Sequence, residues 1–198
     1  MSEAPEIQNQ QITDNRGQDN GQRIMVRHAQ EGDVDMILSA LTASMELYRN
    51  HSGIPDGKLE ALFETREKLL IEIRDVPFFV AILPDGTVVG SVRMRPVDLH
   101  EILSPESTDT VRISLENSQV VGYFSRFSVL PEMHNLGIGA MLYQAAEDEA
   151  RRFGLTYLCL HTALANEAMV AFYGRRGFVL WQTDATRGYV RGFFAKKL

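Results

Sequence analysis

Apolar side chains recur along this chain in two rhythms. Some segments carry them every three to four residues, which predicts one buried helix face, and others carry them in short runs, which predicts strands. Residues 1 to about 22 show neither rhythm. They are rich in Gln, Asn, Asp and Glu, and such a segment buries too little surface to offset its ordering entropy, so it reads as a disordered polar tail. The folded domain is therefore expected over 23–198. Ile24, Met25 and Val26 read as a first strand. Val34, Ile37, Leu38, Leu41, Met45 and Tyr48 then line one helix face. His51 to Gly57 is a loop by composition. Leu59, Leu62, Phe63, Leu70 and Ile73 mark a second amphipathic helix. Pro77 to Leu83 is a buried strand, Pro84-Asp85-Gly86 a turn, and Val88 to Met94 a returning strand, giving a β-hairpin.

From Leu99 to about Ser118 the pattern is polar and irregular, with room for a short strand over Val111 to Leu115. Connections of this length often serve function. Val120 to Leu130 is a long strand stopped by Pro131. Ile138 to Phe153 is an amphipathic helix that Gly154 closes as its C-cap. Thr156 to Leu160 reads as a strand, Glu167 to Arg175 as a helix, and Phe178 to Gln182 and Tyr189 to Phe194 as the last two strands. The order is β-α-α-β-β-β-α-β-α-β-β. It predicts an α/β (α+β) fold: a mixed, mostly antiparallel central sheet of about seven strands with helices on both faces, antiparallel first and parallel in the middle.

Composition narrows the class. The chain has 198 residues, enough for one core without disulfides or metals. A net charge of −6 supplies no excess of Lys and Arg to neutralise phosphates, which argues against a nucleic-acid partner and is compatible with an amine substrate. The single cysteine, Cys159, excludes an internal disulfide framework and fits a reducing, cytoplasmic setting. It sits in the apolar run Tyr157 to Leu160 and reads as a small buried hydrophobe. No apolar stretch is long enough to cross a bilayer, and the N-terminal residues do not resemble a secretory signal. His28, His51 and His100 show no metal-ligand spacing with one another or with Cys159.

The chemistry concentrates after the long strand, in Val129-Leu130-Pro131-Glu132-Met133-His134-Asn135-Leu136-Gly137-Ile138-Gly139-Ala140. A strand ends, a loop turns, and a helix begins at two glycines. The first helical turn leaves N–H groups without intrahelical partners, and the helix dipole adds positive charge there. Glycines let a phosphate approach the backbone. Two common nucleotide patterns fail. A P-loop needs Lys and then Ser or Thr after its last glycine, where this chain has Ala140 and Met141. A dinucleotide fingerprint needs a third glycine where Leu142 stands, and an acidic residue where the next strand ends in His161-Thr162.

With Val129-x-Pro131, Gly137-x-Gly139, then Asn166, Phe172-Tyr173 and Gly177-Phe178, the chain resembles the GNAT superfamily of N-acetyltransferases. The resemblance covers roughly residues 23 to 198, with its specific motifs between 127 and 178. It implies acetyl-CoA, or another acyl-CoA, as co-substrate without a metal. It implies acyl transfer to a primary amine on a small molecule or peptide, by direct attack in a ternary complex. Phe127, Ser128 and Val129 would present strand backbone to the pantetheine arm. The loop carrying His134, Asn135, Leu136, Gly137, Ile138, Gly139 and Ala140 would hold the pyrophosphate. Asn166 would bond the cofactor near its pantetheine portion, and Tyr173 would protonate the departing thiolate. The family's usual Arg or Gln at the start of the loop is His134 here, which weakens side-chain charge assistance unless His134 is protonated.

Alternatives stand beside these roles. Asn166 is equally a helix N-cap, and an aromatic at the place of Tyr173 on a helix face is often core, although the glycine turn upstream favours the catalytic role. For the base, His161 has a suitable unperturbed pKa, while Tyr123 and Ser125 could steer a water chain. Arg126 could hold a substrate carboxylate or pair across the sheet. A non-catalytic acyl-CoA-binding domain, an enzyme for a longer acyl-CoA, and a homodimer all remain open.

Overall fold

The computed structural model describes residues 23–103 and 120–198. The expected N-terminal tail and the short strand over Val111 to Leu115 lie outside the described residues.

Seven strands and five helices are found among the described residues: β1 (Met25–His28), α1 (Val34–His51), α2 (Arg66–Asp75), β2 (Phe78–Ile82), β3 (Val88–Asp98), α3 (Leu99–Ile102), β4 (Val120–Val129), α4 (Ile138–Arg152), β5 (Tyr157–Ala163), α5 (Glu167–Gly174), β6 (Val179–Asp184) and β7 (Arg191–Lys197). The sheet order is β1-β2-β3-β4-β5-β7-β6. Every neighbouring pair is antiparallel except β4 and β5, so the expected mixed, mostly antiparallel architecture is found.

Alternation along the strands divides the core. Phe79, Ala81 and Met94 pack with Ile138, Leu142 and Ala146 of α4 on one face. Phe78, Val80 and Ile82 pack with Val34 and Ile37 of α1 and Leu69 of α2 on the other. A change of one residue along a strand reverses the face, so this pattern also fixes register.

Four sequence expectations are corrected. The second helix does not run from Leu59 to Ile73. Glu60–Phe63 form a 3-10 turn, and α2 starts only after Thr65, whose hydroxyl accepts a bond from the Lys68 backbone N–H at 3.3 Å. A capping threonine starts a helix more readily than it sits inside one, and Phe63 is exposed rather than part of the stripe. Strand β5 runs on to Ala163, so His161 lies within the ladder opposite Phe193 rather than at its end. The returning strand extends past Met94 to Asp98, where the Asp98 carboxylate caps α3 through the His100 N–H at 2.9 Å. The last two strands also end later than the apolar pattern suggests, at Asp184 and Lys197. By contrast α4 closes as expected: Gly154 is left-handed at φ +70, and Gly154 and Leu155 donate back to Arg151 and Ala150, the glycine-terminated cap that satisfies orphan carbonyls.

Two irregularities lie in the middle of the sheet. Ser91 pairs with Ser128 and Arg93 with Ser125, so Arg126 and Phe127 together oppose Val92. This is a β-bulge, and Arg126 takes up its distortion at φ 52. The parallel ladder between β4 and β5 is short, with Gly122 opposite Leu158 and Tyr123 opposite Cys159 and no further pair. Past Tyr123 the two strands diverge.

Candidate active site

Divergence of β4 and β5 opens a cleft of about 690 Å3 through the sheet. Its walls come from the far half of β4, the loop leading into α4, the start of α5, the outward part of β5, α1 with the segment after it, and the β6–β7 turn.

One end is the glycine turn. Gly137, Ile138, Gly139 and Ala140 line the cleft together with His134 and Asn135. The two glycines are there for different reasons. Gly137 caps α4 in the left-handed region at φ +78, and nothing lies within 4 Å of where its Cβ would be. Its carbonyl accepts from Ala140 and Met141 at 2.9 and 3.1 Å, leaving the N–H groups of Ile138 and Gly139 at the mouth of the helix, where the dipole favours an anion. Gly139 instead makes room for a ring: a Cβ there would stand 3.1 Å from Phe127 Cζ. His134 is exposed, and its Nε2 lies 3.1 Å from the Val129 carbonyl, tying the loop to the end of β4.

In the middle, β4 has no strand partner on its β5 side beyond Tyr123 among the described residues, so its backbone polar groups face the cleft. Phe124, Phe127, Phe172 and Tyr173 form a tilted and edge-on aromatic wall. Tyr173 is buried, and burial holds its phenol well above the ordinary pKa, so it stays protonated. Arg176 stacks over Phe172 at 3.5 Å and donates to the Phe172 carbonyl at 3.0 Å.

Asn166 lines the cleft but its amide is already engaged. Its Oδ1 caps α5 through the Met169 N–H at 3.2 Å, and its Nδ2 donates to Ser52 Oγ at 3.1 Å. Ser52 in turn donates to the Tyr48 carbonyl at 2.6 Å. The Tyr48 hydroxyl accepts from the Ala163 N–H at 2.7 Å and lies 3.0 Å from Thr162 Oγ1. Tyr48 therefore pins α1 to the outer end of β5.

At the other end, the Tyr123 hydroxyl meets His161 Nδ1 at 3.0 Å. Burial, with Arg191 and Arg187 nearby, lowers the His161 pKa to about 3. The ring is neutral at physiological pH and is a far weaker base than its unperturbed value suggests. Ser125 accepts from Arg93 Nε at 3.0 Å. Arg126 Nε bonds Glu64, which Lys68 also reaches at 2.6 Å. Glu64 is wholly enclosed, and its cationic partners hold its pKa below the usual carboxylate range against the cost of burial.

The structure thus brings Tyr123, Ser125, Arg126, Phe127 and Val129 together with the glycine turn, His161, Asn166 and Tyr173 around one cleft. Ser128 and Leu136 stay outside its lining: the Ser128 hydroxyl is buried against Ser91 Oγ at 2.9 Å, and Leu136 points outward. Tyr48, Arg176, Arg187 and Arg191 also line the cleft, and no sequence motif marks them. Tyr48 carries only the helical period of a core residue, and the arginines follow no spacing. Among the described residues no group of three His, Cys, Asp or Glu could hold a metal ion, and no helix is long and apolar enough to cross a membrane. Burial pushes the Cys159 thiol up to about 12, an inert value.

A family model described as acetyltransferase (GNAT) family matches residues 38–178, well over half of the chain. A curated relative, mycothiol acetyltransferase of Paenarthrobacter aurescens (strain TC1), is 40% identical over 60 residues. That segment covers 30% of this chain and 19% of the relative, so the similarity spans about a fifth of the relative's length. Among solved structures, a PaiA N-acetyltransferase from Thermoplasma acidophilum in complex with coenzyme A superposes with a TM-score of 0.67 at 21% identity, covering 89% of this chain and 99% of that one. A GNAT-family acetyltransferase from Streptococcus agalactiae gives 0.68 at 14% identity, over 88% and 95%. A mutant agmatine N-acetyltransferase in its apo form gives 0.63 at 17%, over 88% and 99%. At these identities the structural likeness shows a shared fold.

Proposed function

The chain belongs to the acetyltransferase (GNAT) family and is an acyltransferase, and we propose that it moves an acetyl group from acetyl-CoA to a primary amine by direct attack in a ternary complex, as a single domain over 23–198. The observation that carries this reading is the parting of β4 from β5 after Tyr123. It leaves one continuous cleft that runs from the start of α4 to the pocket around Tyr123, His161 and Arg191.

In this reading the N–H groups at the start of α4 hold the pyrophosphate, with His134 and Asn135 beside them. The edge of β4 from Phe127 to Val129, which has no strand partner on its β5 side among the described residues, bonds the pantetheine arm, and a β4 backbone N–H faces the thioester carbonyl. Most of the acceleration comes from holding amine and thioester in line. The amine nitrogen attacks the carbonyl carbon, the C–N bond forms and the C–S bond breaks. Tyr173, protonated in the resting site, hydrogen-bonds the thiolate as the C–S bond breaks, and the proton it passes on is replaced from the water that carries away the amine proton. The amine proton leaves through water ordered by Tyr123 and His161, because His161 with a pKa of about 3 is too weak a base to hold it. Asn166 serves chiefly as the cap of α5, keeping Tyr173 in place.

The test is thiol release from acetyl-CoA across a panel of amines, together with calorimetric titration of acetyl-CoA. Saturable binding and amine-dependent thiol release are expected, and Tyr173→Phe should lower kcat with acetyl-CoA affinity unchanged. A protein that neither binds acetyl-CoA nor releases thiol with any amine refutes the reading.

A further inference from the structure

The chain is acidic overall, yet the acceptor half of its cleft is walled by arginines. Arg126 from β4, Arg187 from the β6–β7 turn and Arg191 from β7 all line it, and Glu60 is the one carboxylate among the lining residues described. Arg187 pairs with Glu60, and all three arginines lie within electrostatic reach of the Glu60 carboxylate and of the Tyr123 hydroxyl.

The carboxylates that partner these arginines sit mostly behind the wall. Glu64 holds Arg126, and Asp184 holds Arg191 at 2.9 Å. Glu64 is 0% exposed and Asp184 5%, and neither faces the cleft. Each takes only the Nε of its arginine. Among the described residues the terminal nitrogens of Arg126 and Arg191 donate to no other group, while both side chains are about nine-tenths enclosed, at 13% and 12% exposure. Glu64 is moreover shared with Lys68, so that cluster keeps one positive charge in excess. A guanidinium fixed through its Nε presents its outer N–H edge as a fork, the geometry that fits a carboxylate with two parallel bonds.

We propose that the acceptor is an amine that also bears a carboxylate, an amino-acid-like zwitterion whose carboxylate is held by the outer edges of Arg126 and Arg191 while its amine faces the thioester. This rests on the acetyl-transfer reading and names its substrate class. A second consequence supports it. The positive wall disfavours a bound ammonium, so the amine sheds its proton on binding, which suits a site whose histidine is held neutral. A purely cationic amine meets repulsion instead. The carboxylate takes no part in bond-making.

The experiment compares matched acceptors at saturating acetyl-CoA: free L-amino acids, their carboxamides, agmatine, and dipeptides beginning with Asp or Glu. Acids should exceed their carboxamides in kcat/KM by about 10- to 100-fold, the range for losing a charge-assisted bond, and agmatine should be poorest. Turnover of the dipeptides alone would keep the carboxylate requirement and assign the acceptor to a peptide. Arg191→Gln should erase the preference for acid over amide, Arg191→Lys should restore part of it, and both should leave the calorimetric affinity for acetyl-CoA unchanged. Arg126→Gln is the second variant, should loss of the Asp184 partner disturb folding. Carboxamides or agmatine turned over as fast as the acids would overturn the inference while leaving acetyl transfer intact. Acetyl-CoA binding without turnover of any acid or acidic dipeptide would overturn it as well.

Discussion

Replacing each glycine of the turn by alanine separates two physical roles that share one motif. At Gly137 the backbone is left-handed, φ +78, and the space beside it is open. Gly137→Ala therefore costs conformational strain alone, about 1–2 kcal/mol for an L-residue in that region. For a domain of this size each kcal/mol lowers Tm by about 2–4 °C, so a fall of about 2–8 °C is expected. Gly137→Asn should recover about half of it, because asparagine tolerates the left-handed region; Asn135 already does so in the same loop at φ 65. At Gly139 the backbone is helical and the restraint is spatial. Alanine gains up to about 1 kcal/mol of helix propensity, but its Cβ meets Phe127 Cζ at 3.1 Å. The ring must give by a few tenths of an ångström, a rotamer cost of about 0.5–1.5 kcal/mol. The two effects nearly cancel, so Gly139→Ala should change Tm by less than about 2 °C. Differential scanning calorimetry of the three variants at one pH reads the result. If Gly139→Ala loses as much as Gly137→Ala, or if asparagine at 137 is no better than alanine, the division of roles is wrong.

Three further outcomes rest on contacts around the cleft. Tyr48→Phe strips the buried Ala163 N–H of its acceptor and should cost about 1–3 kcal/mol, against about 1 kcal/mol for Thr162→Val, which removes only the hydroxyl pair; equal losses in urea unfolding would refute the hub role. Glu64→Gln leaves Arg126 and Lys68 without their shared counter-charge and should cost about 3 kcal/mol, seen as a lower urea midpoint; an unchanged midpoint would show that the pair contributes nothing net. Because the folded-state pKa of His161 is lowered to about 3, the unfolded chain binds the extra proton between pH 3 and about 6.5. The stability held by the neutral ring is complete above about pH 6.5 and is lost as pH falls towards 3, so His161→Asn should flatten the decline of Tm over that window relative to the parent protein.

The element order and the glycine turn are legible in the sequence because they are local. A 3.6-residue stripe, a run of β-branched residues and a Pro or Gly stop are written within a dozen positions. The bulge at Arg126 is not, since it depends on how Ser91 and Arg93 on another strand pair with Ser128 and Ser125. Nor are the partners of the cleft wall. Glu64 reaches Arg126 across 62 positions and Tyr48 reaches Thr162 across 114, and no periodicity encodes such a distance. The helix start at Arg66 is hidden because the apolar stripe from Leu59 to Ile73 looks continuous, while the hydroxyl of Thr65, a single polar atom, decides the boundary. The sequence gives His161 only its solution pKa, and its enclosure in the fold shows how far that value falls.

The parting of β4 from β5 also bears on how the protein survives at high concentration. A strand edge with unpaired N–H and C=O groups is the template on which foreign chains assemble. This sheet carries such edges in its interior as well as at its rims, but the inner ones line a cleft walled by α1, α4 and the β6–β7 turn. The conventional rims among the described strands are β1 and β6. Of these, β6 displays Val179 and Leu180 to solvent, and a charge placed at either position is where protection against aggregation would be gained.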